Sequence, residues 1–183
     1  MKQRNIRLIL TFLLLLVAFF IERQAPREPR VSRSKVPKNP SKELQGDVQH
    51  MRAVDGDSLE GFDGRGQKIR FRLYGVDAPE LAQEYGRDAQ AFLRTMIQKL
   101  SLKGDFKIMG VDRFGRHLVV LPHVNGHSGN VELVHYGFAW CLKDSLPECE
   151  HLQLIARQER RGLWQHPSPL PPWKWRATHP RRE

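Results

Sequence analysis

The chain has 183 residues, 40 % of them apolar, with 30 Lys and Arg against 20 Asp and Glu and a formal net charge of +10. That length excludes two full domains and suits one domain with extensions at its ends. The charge favours polyanionic partners, either nucleic acid or an anionic membrane surface. Two cysteines, Cys141 and Cys149, exclude both a cysteine-rich scaffold and a zinc site of the C-x-x-C kind.

The N-terminus reads as a targeting segment, residues 1–21. Lys2, Arg4 and Arg7 precede an uncharged apolar run over residues 8–21. That run fits a signal peptide and is shorter than the roughly 20 residues of a comfortable spanning helix. Phe19, Phe20 and Ile21 stand where a cleavage site needs small residues, so an uncleaved anchor is favoured over a cleaved signal. The basic residues that follow, from Arg23 to Lys38, outnumber those before the run. Taken alone, that bias would keep the C-terminal part in the cytoplasm. Residues 22–45, with Pro26, Pro29, Pro37 and Pro40 among many charges, read as a disordered basic linker.

The folded domain is expected over residues 46–166. Residues 48–54 form a first strand, Asp55-Gly56 a hairpin-type turn, and residues 58–62 a second strand. In residues 68–74 the alternation is strict, with Ile69, Phe71 and Leu73 on one face and Arg70, Arg72 and Tyr74 on the other. Tyr85, Ala89, Phe92, Leu93, Met96, Ile97 and Leu100 then recur at helical spacing. Residues 106–108 and 117–121 read as two more strands, and residues 130–136 and about 148–161 as two shorter helices. Strands first and helices later predict an α+β domain around a small barrel. Residues 167–183 form an extended Pro- and Trp-rich basic tail. It either packs back on the barrel or presents a polyproline segment to a partner.

Three carboxylates leave turns at what becomes one rim: Asp57 after the first turn, and Asp77 and Glu80 after the third strand. Pro79 biases Ala78 toward extended backbone and makes this a rigid turn. Carboxylates with a backbone carbonyl suit a hard cation, although each acidic turn alone is ordinary turn chemistry. Arg72 lies on the strand face opposite the apolar residues, and Arg116 follows a turn entering a strand. Two arginines beside such a cation make a phosphate clamp, because the guanidinium fork binds two oxygens and stays charged.

Taken jointly, these residues resemble the thermonuclease (staphylococcal nuclease) family. The runs that carry the resemblance are Val54-Asp55-Gly56-Asp57-Ser58, the twelve residues from Ile69 to Glu80, Tyr85-Gly86, Asp112-Arg113-Phe114-Gly115-Arg116, Asn130 and Gly137-Phe138-Ala139. The resemblance implies an OB-type five-stranded β-barrel with three helices. It implies a Ca2+ ion held by Asp57, Asp77 and the main-chain carbonyl of Ala78. Glu80 is then the general base, and Arg72 and Arg116 stabilise the transition state. It further implies cleavage of DNA and RNA with little sequence preference, leaving 3′-phosphates; a monomer is expected. The nucleotide-contacting Tyr residues of the family are not matched; Lys143 and Ser145 stand near those places, and Phe114 replaces a Tyr. The alternative is a membrane-tethered module of this fold that binds nucleic acid without cutting it. A third reading is a membrane-associated structural protein whose basic linker binds anionic lipid. A low-specificity nuclease is harmful in the cytoplasm, where calcium is also scarce. The expected location is therefore outside the cytoplasmic membrane, where the cysteine pair can form a disulfide; otherwise it is two buried thiols.

Overall fold

Alternating apolar residues commit residues 49–73 to a three-stranded meander whose inner face is Leu59, Phe71 and Leu73, each almost fully buried. The computed structural model of the chain describes residues 48–101 and 105–180. The targeting segment and the whole of the linker lie outside the described residues. Among the described residues no helix is long and apolar enough to cross a membrane.

Strands β1 (Gln49–Ala53), β2 (Ser58–Phe62) and β3 (Lys68–Leu73) pair antiparallel in sequence. Strand β3 then pairs in parallel with β6 (His117–Val120), which is antiparallel to β5 (Lys107–Val111). The sheet order is β1-β2-β3-β6-β5. The crossover that a parallel pair requires is supplied by helix α1 (Gly86–Leu100), which packs Ala89, Leu93, Met96 and Ile97 into the core. The short strands β4 (Val76–Asp77) and β9 (Trp140–Cys141) pair beside the sheet, and β7 (His123–Val124) and β8 (His127–Ser128) form a small hairpin. Helix α2 (Gly129–His135), helix α3 (Cys149–Gln158) and the 3-10 turn Gly162–Gln165 complete the domain.

The α+β, OB-like order agrees with the expectation, but the barrel does not. Among the described residues no pairing joins β1 to β5, so the sheet stays open along that seam. Among the described residues the domain carries the three expected helices, α1, α2 and α3, and Pro172–Thr178 forms a further helix, α4, inside the tail that was read as extended. Proline is tolerated at the first helical position, where its missing N–H has no intrahelical partner. Cys141 and Cys149 are disulfide-bonded, joining β9 to the start of α3.

Asn130, fully buried, fastens the ends of β3 and β6. Its side-chain oxygen accepts from the Leu121 amide at 3.0 Å, and its Nδ2 donates to the carbonyls of Tyr74 and Val119, each at 2.9 Å. Asn130→Ala strands these buried groups, and each unsatisfied one costs about 1–3 kcal/mol. The variant is expected to lose about 2–4 kcal/mol in denaturant titration, with the rest of the fold retained.

Candidate active site

Asp57 and Glu80 are carried by turns that the local sequence enforces, and Asp77 by the end of β4. Gly56 lets the β1–β2 turn lie against the β4 turn, since a Cβ there would come within 2.7 Å of the Cβ atoms of Ala78 and Ala89. The next residue, Asp57, is thereby buried at 2 % exposure, and Asp77 at the end of β4 at 3 %. Gly86 does the same for Glu80: a Cβ at Gly86 would overlap the Glu80 carbonyl. Helix α1 therefore starts directly against the Glu80 turn. That turn is closed by the Gln83 amide on the Glu80 carbonyl at 2.8 Å and by the Glu80 amide on Gln83 Oε1 at 3.2 Å.

Arg72 joins the two turns. Its Nη1 pairs with Asp57 Oδ1, and its Nη2 donates to Asp77 Oδ1 at 2.7 Å and to the Val76 carbonyl at 3.3 Å. Burial pushes the Arg72 guanidinium below its ordinary value, and the charge and hydrogen bond of Asp77 act against that. A guanidinium keeps its proton under such a shift. Asp57 Oδ2 also accepts from the Ala78 amide at 2.6 Å, and Ser58 Oγ donates to Asp57 Oδ1 at 3.2 Å. In this arrangement it is the amide of Ala78 that touches Asp57.

Arg116 stands apart from this cluster. Its Nε donates to Asp112 Oδ2 at 2.8 Å, and its guanidinium lies 5.6 Å from the centroid of the exposed Phe114 ring. Burial alone would raise the Asp112 carboxyl. The amides of Arg116 and Phe114 and the Arg116 side chain outweigh it and hold the carboxyl below the usual range. The positive charge of Arg116 adds, as the smallest cause, to the lowering of Arg72.

One residue of the site escaped sequence reasoning. Arg176, on helix α4, donates from Nη1 to Asp77 Oδ1 at 3.2 Å and to Glu80 Oε1 at 3.0 Å, and from Nη2 to Asp77 Oδ2 at 2.7 Å. It lies 99 positions from Asp77, and the only local hint is the alternation of Trp173 and Trp175 with basic residues. That pattern marks a docked segment without naming its partner.

Among the described residues no three His, Cys, Asp or Glu side chains group as a metal site. Two buried carboxylate oxygens, Asp57 Oδ1 and Asp77 Oδ1, do converge on a single guanidinium. A pair of carboxylates so placed, completed by a main-chain carbonyl and water, is the chemistry a hard dication takes. Asp57 and Asp77 are donors of that kind, and in this structure the same oxygens hold Arg72, while Glu80 is joined to Asp77 through Arg176.

Comparison with known proteins places the chain among nucleases. The family model described as staphylococcal nuclease homologue matches residues 70–166. The chain is 35 % identical over 128 residues to an uncharacterized endonuclease of Escherichia coli O157:H7, covering 69 % of this chain and 82 % of that protein. It is 32 % identical over 150 residues to a micrococcal nuclease of Shigella flexneri, covering 74 % of this chain and 82 % of that protein. It is also 36 % identical over 121 residues to a probable staphylococcal-like nuclease of Oryza sativa subsp. japonica, covering 65 % of this chain and 36 % of that protein.

Proposed function

This chain belongs to the staphylococcal nuclease family and is a nuclease, and we propose that it hydrolyses phosphodiester bonds of DNA or RNA with Asp57, Arg72, Asp77, Ala78, Glu80 and Arg116 as its site. The observation that carries the assignment is the joining of Asp57 and Asp77 by Arg72 beside the Glu80 turn.

Glu80 takes the proton of the attacking water, the work of a general base held in a fixed turn. The water oxygen bonds to phosphorus, the bond to the 5′-oxygen breaks, the leaving oxygen takes a proton from solvent water, and a 3′-phosphate and a 5′-hydroxyl result. Arg72 and Arg116 face the phosphoryl oxygens, where charge grows in the transition state and preorganised donors act most strongly. Asp57, Asp77 and the Ala78 carbonyl would hold Ca2+, which when bound supplies Lewis-acid polarisation of the phosphoryl group. Low sequence specificity follows from contacts made to the backbone, which carries no sequence information. The net charge of +10 raises the encounter rate with any nucleic acid.

We place the enzyme outside the cytoplasmic membrane as a monomer, held there by residues 1–21 where these are not cleaved. The paired Cys141 and Cys149 support an oxidising compartment. A membrane-impermeant thiol label on a Lys99→Cys variant reads the orientation directly, and protection of that cysteine in intact cells would reverse the placement.

The test of function is cleavage of a single-stranded DNA oligomer by the full-length chain, with calcium and with a chelator. Calcium-dependent cutting to 3′-phosphate ends is expected. Tight binding with no cutting under either condition replaces this reading with that of a nucleic-acid-binding module.

A further inference from the structure

The family match ends at residue 166, yet the chain beyond it returns to the site. The tail is docked by contacts that owe nothing to Arg176. Trp173 packs edge-on against Trp140 at 5.5 Å, and Trp140 in turn meets Trp164 at 4.4 Å. Gln83, from the Glu80 turn, donates its Nε2 to the Leu170 carbonyl. Trp175 lines a cavity of about 110 Å³ with Pro79, Tyr85, Trp140 and Leu170. Residues 166–179 thus form a strap over the turn that carries Glu80.

We propose that Arg176 is a positioning residue of the nuclease site, holding the Glu80 carboxylate in register with Asp77. The inference rests on the assignment of Glu80 as the base. A glutamate has three rotatable side-chain bonds, and a base works only when held within hydrogen-bond reach of the water it activates. Asp77 is a fixed reference, since it ends β4, is buried, and is also held by Arg72 through Oδ1. The planar fork of Arg176 spans both Asp77 oxygens and reaches Glu80 Oε1 from the same Nη1 that touches Asp77. Only a guanidinium presents donors in this fixed geometry, and a lysine ammonium is a point charge without it. A guanidinium–carboxylate contact is of the charge-assisted, stronger class of hydrogen bond. The strap makes the C-terminal tail part of the active site, supplied from outside the family-matched segment.

The experiment compares full-length wild type, Arg176→Gln and Arg176→Lys, each alone and in the Glu80→Gln background. Tryptophan emission is recorded throughout as the check that the strap stays docked. Arg176→Gln is expected to lower kcat by about 10- to 100-fold, the scale on which small misplacements act. KM should stay within about 3-fold, and Arg176→Lys should recover part of the loss. In the Glu80→Gln background Arg176→Gln should cause no further fall, because both changes remove one coupled function. The affinity of Glu80→Gln for a single-stranded oligomer, read by anisotropy without turnover, should be unmoved by adding Arg176→Gln. A loss of kcat below about 3-fold overturns the proposal, as does a rise in activity, which would mean that Arg176 obstructs the site. Weaker oligomer binding with kcat intact also overturns it and makes Arg176 a phosphate contact. Full kcat in Arg176→Gln with altered tryptophan emission overturns it too, since the strap would then be dispensable. Wild type that fails to cut removes the nuclease reading itself, and is seen before any Arg176 variant is compared.

Discussion

Glu80→Gln is expected to lower kcat by about a hundred-fold or more while leaving the melting temperature unchanged, the scale typical of losing a positioned general base. The amide oxygen of Gln is still an acceptor at the place where Glu80 Oε1 meets Arg176 Nη1, so the strap loses little. The turn is held by backbone groups and by Gln83, which the substitution does not touch. What disappears is the capacity to take a proton from water. Steady-state cleavage of a single-stranded oligomer, paired with thermal unfolding, separates the two quantities. Activity within about ten-fold of wild type would remove Glu80 from the role of base.

Arg72→Gln is expected to damage both fold and rate. Asp57 and Asp77 are nearly solvent-free, and Arg72 is the cation that touches both. Removing one partner of a buried ion pair costs about 3–5 kcal/mol, because the charge left behind stays desolvated. Asp77 keeps Arg176, and Asp57 keeps the Ala78 amide and the Ser58 hydroxyl, which places the loss toward the lower end of that range. The rate is expected to fall by about 100- to 1,000-fold, as when one preorganised donor to a developing oxyanion is deleted. The two losses respond differently to calcium. A cation bound between Asp57 and Asp77 stabilises the native state by mass action. Millimolar calcium should therefore recover much of the lost melting temperature and little of the lost rate. Melting curves with no calcium response in both the variant and wild type would argue against these carboxylates as the ion's ligands. Arg72→Lys should restore little of either, because one ammonium cannot span two carboxylates as the guanidinium fork does.

Much of the frame of this molecule was legible because it is local. Alternation along β3 separates buried Phe71 and Leu73 from Arg70 and Arg72, and side chains of period two cannot do otherwise on a half-buried strand. The helical spacing from Ala89 to Ile97 marks the face that α1 buries. The segments that carry Asp57, Asp77 and Glu80 are set by Gly56, Pro79 and Gly86 at their own positions, and Pro79 and Gly86 lie within the residues that match the family.

The rest depended on contacts far apart in the chain. No short window contains the parallel pairing of β3 with β6, and whether the sheet closes depends on strands at its two edges. Helix α4 is too short for periodicity to report, and its Pro-rich approach looks the same whether it stays extended or docks. It forms where Trp173 finds Trp140, a partner fixed by the fold of the preceding domain. The sequence by itself determined which residues are carboxylates and arginines and which turns present them. Only the tertiary structure decided that Arg72 would bridge Asp57 to Asp77 and that Arg176 would bind Asp77 and Glu80. The physical reason is that charge pairing falls off with distance in space, and separation along the chain does not determine that distance.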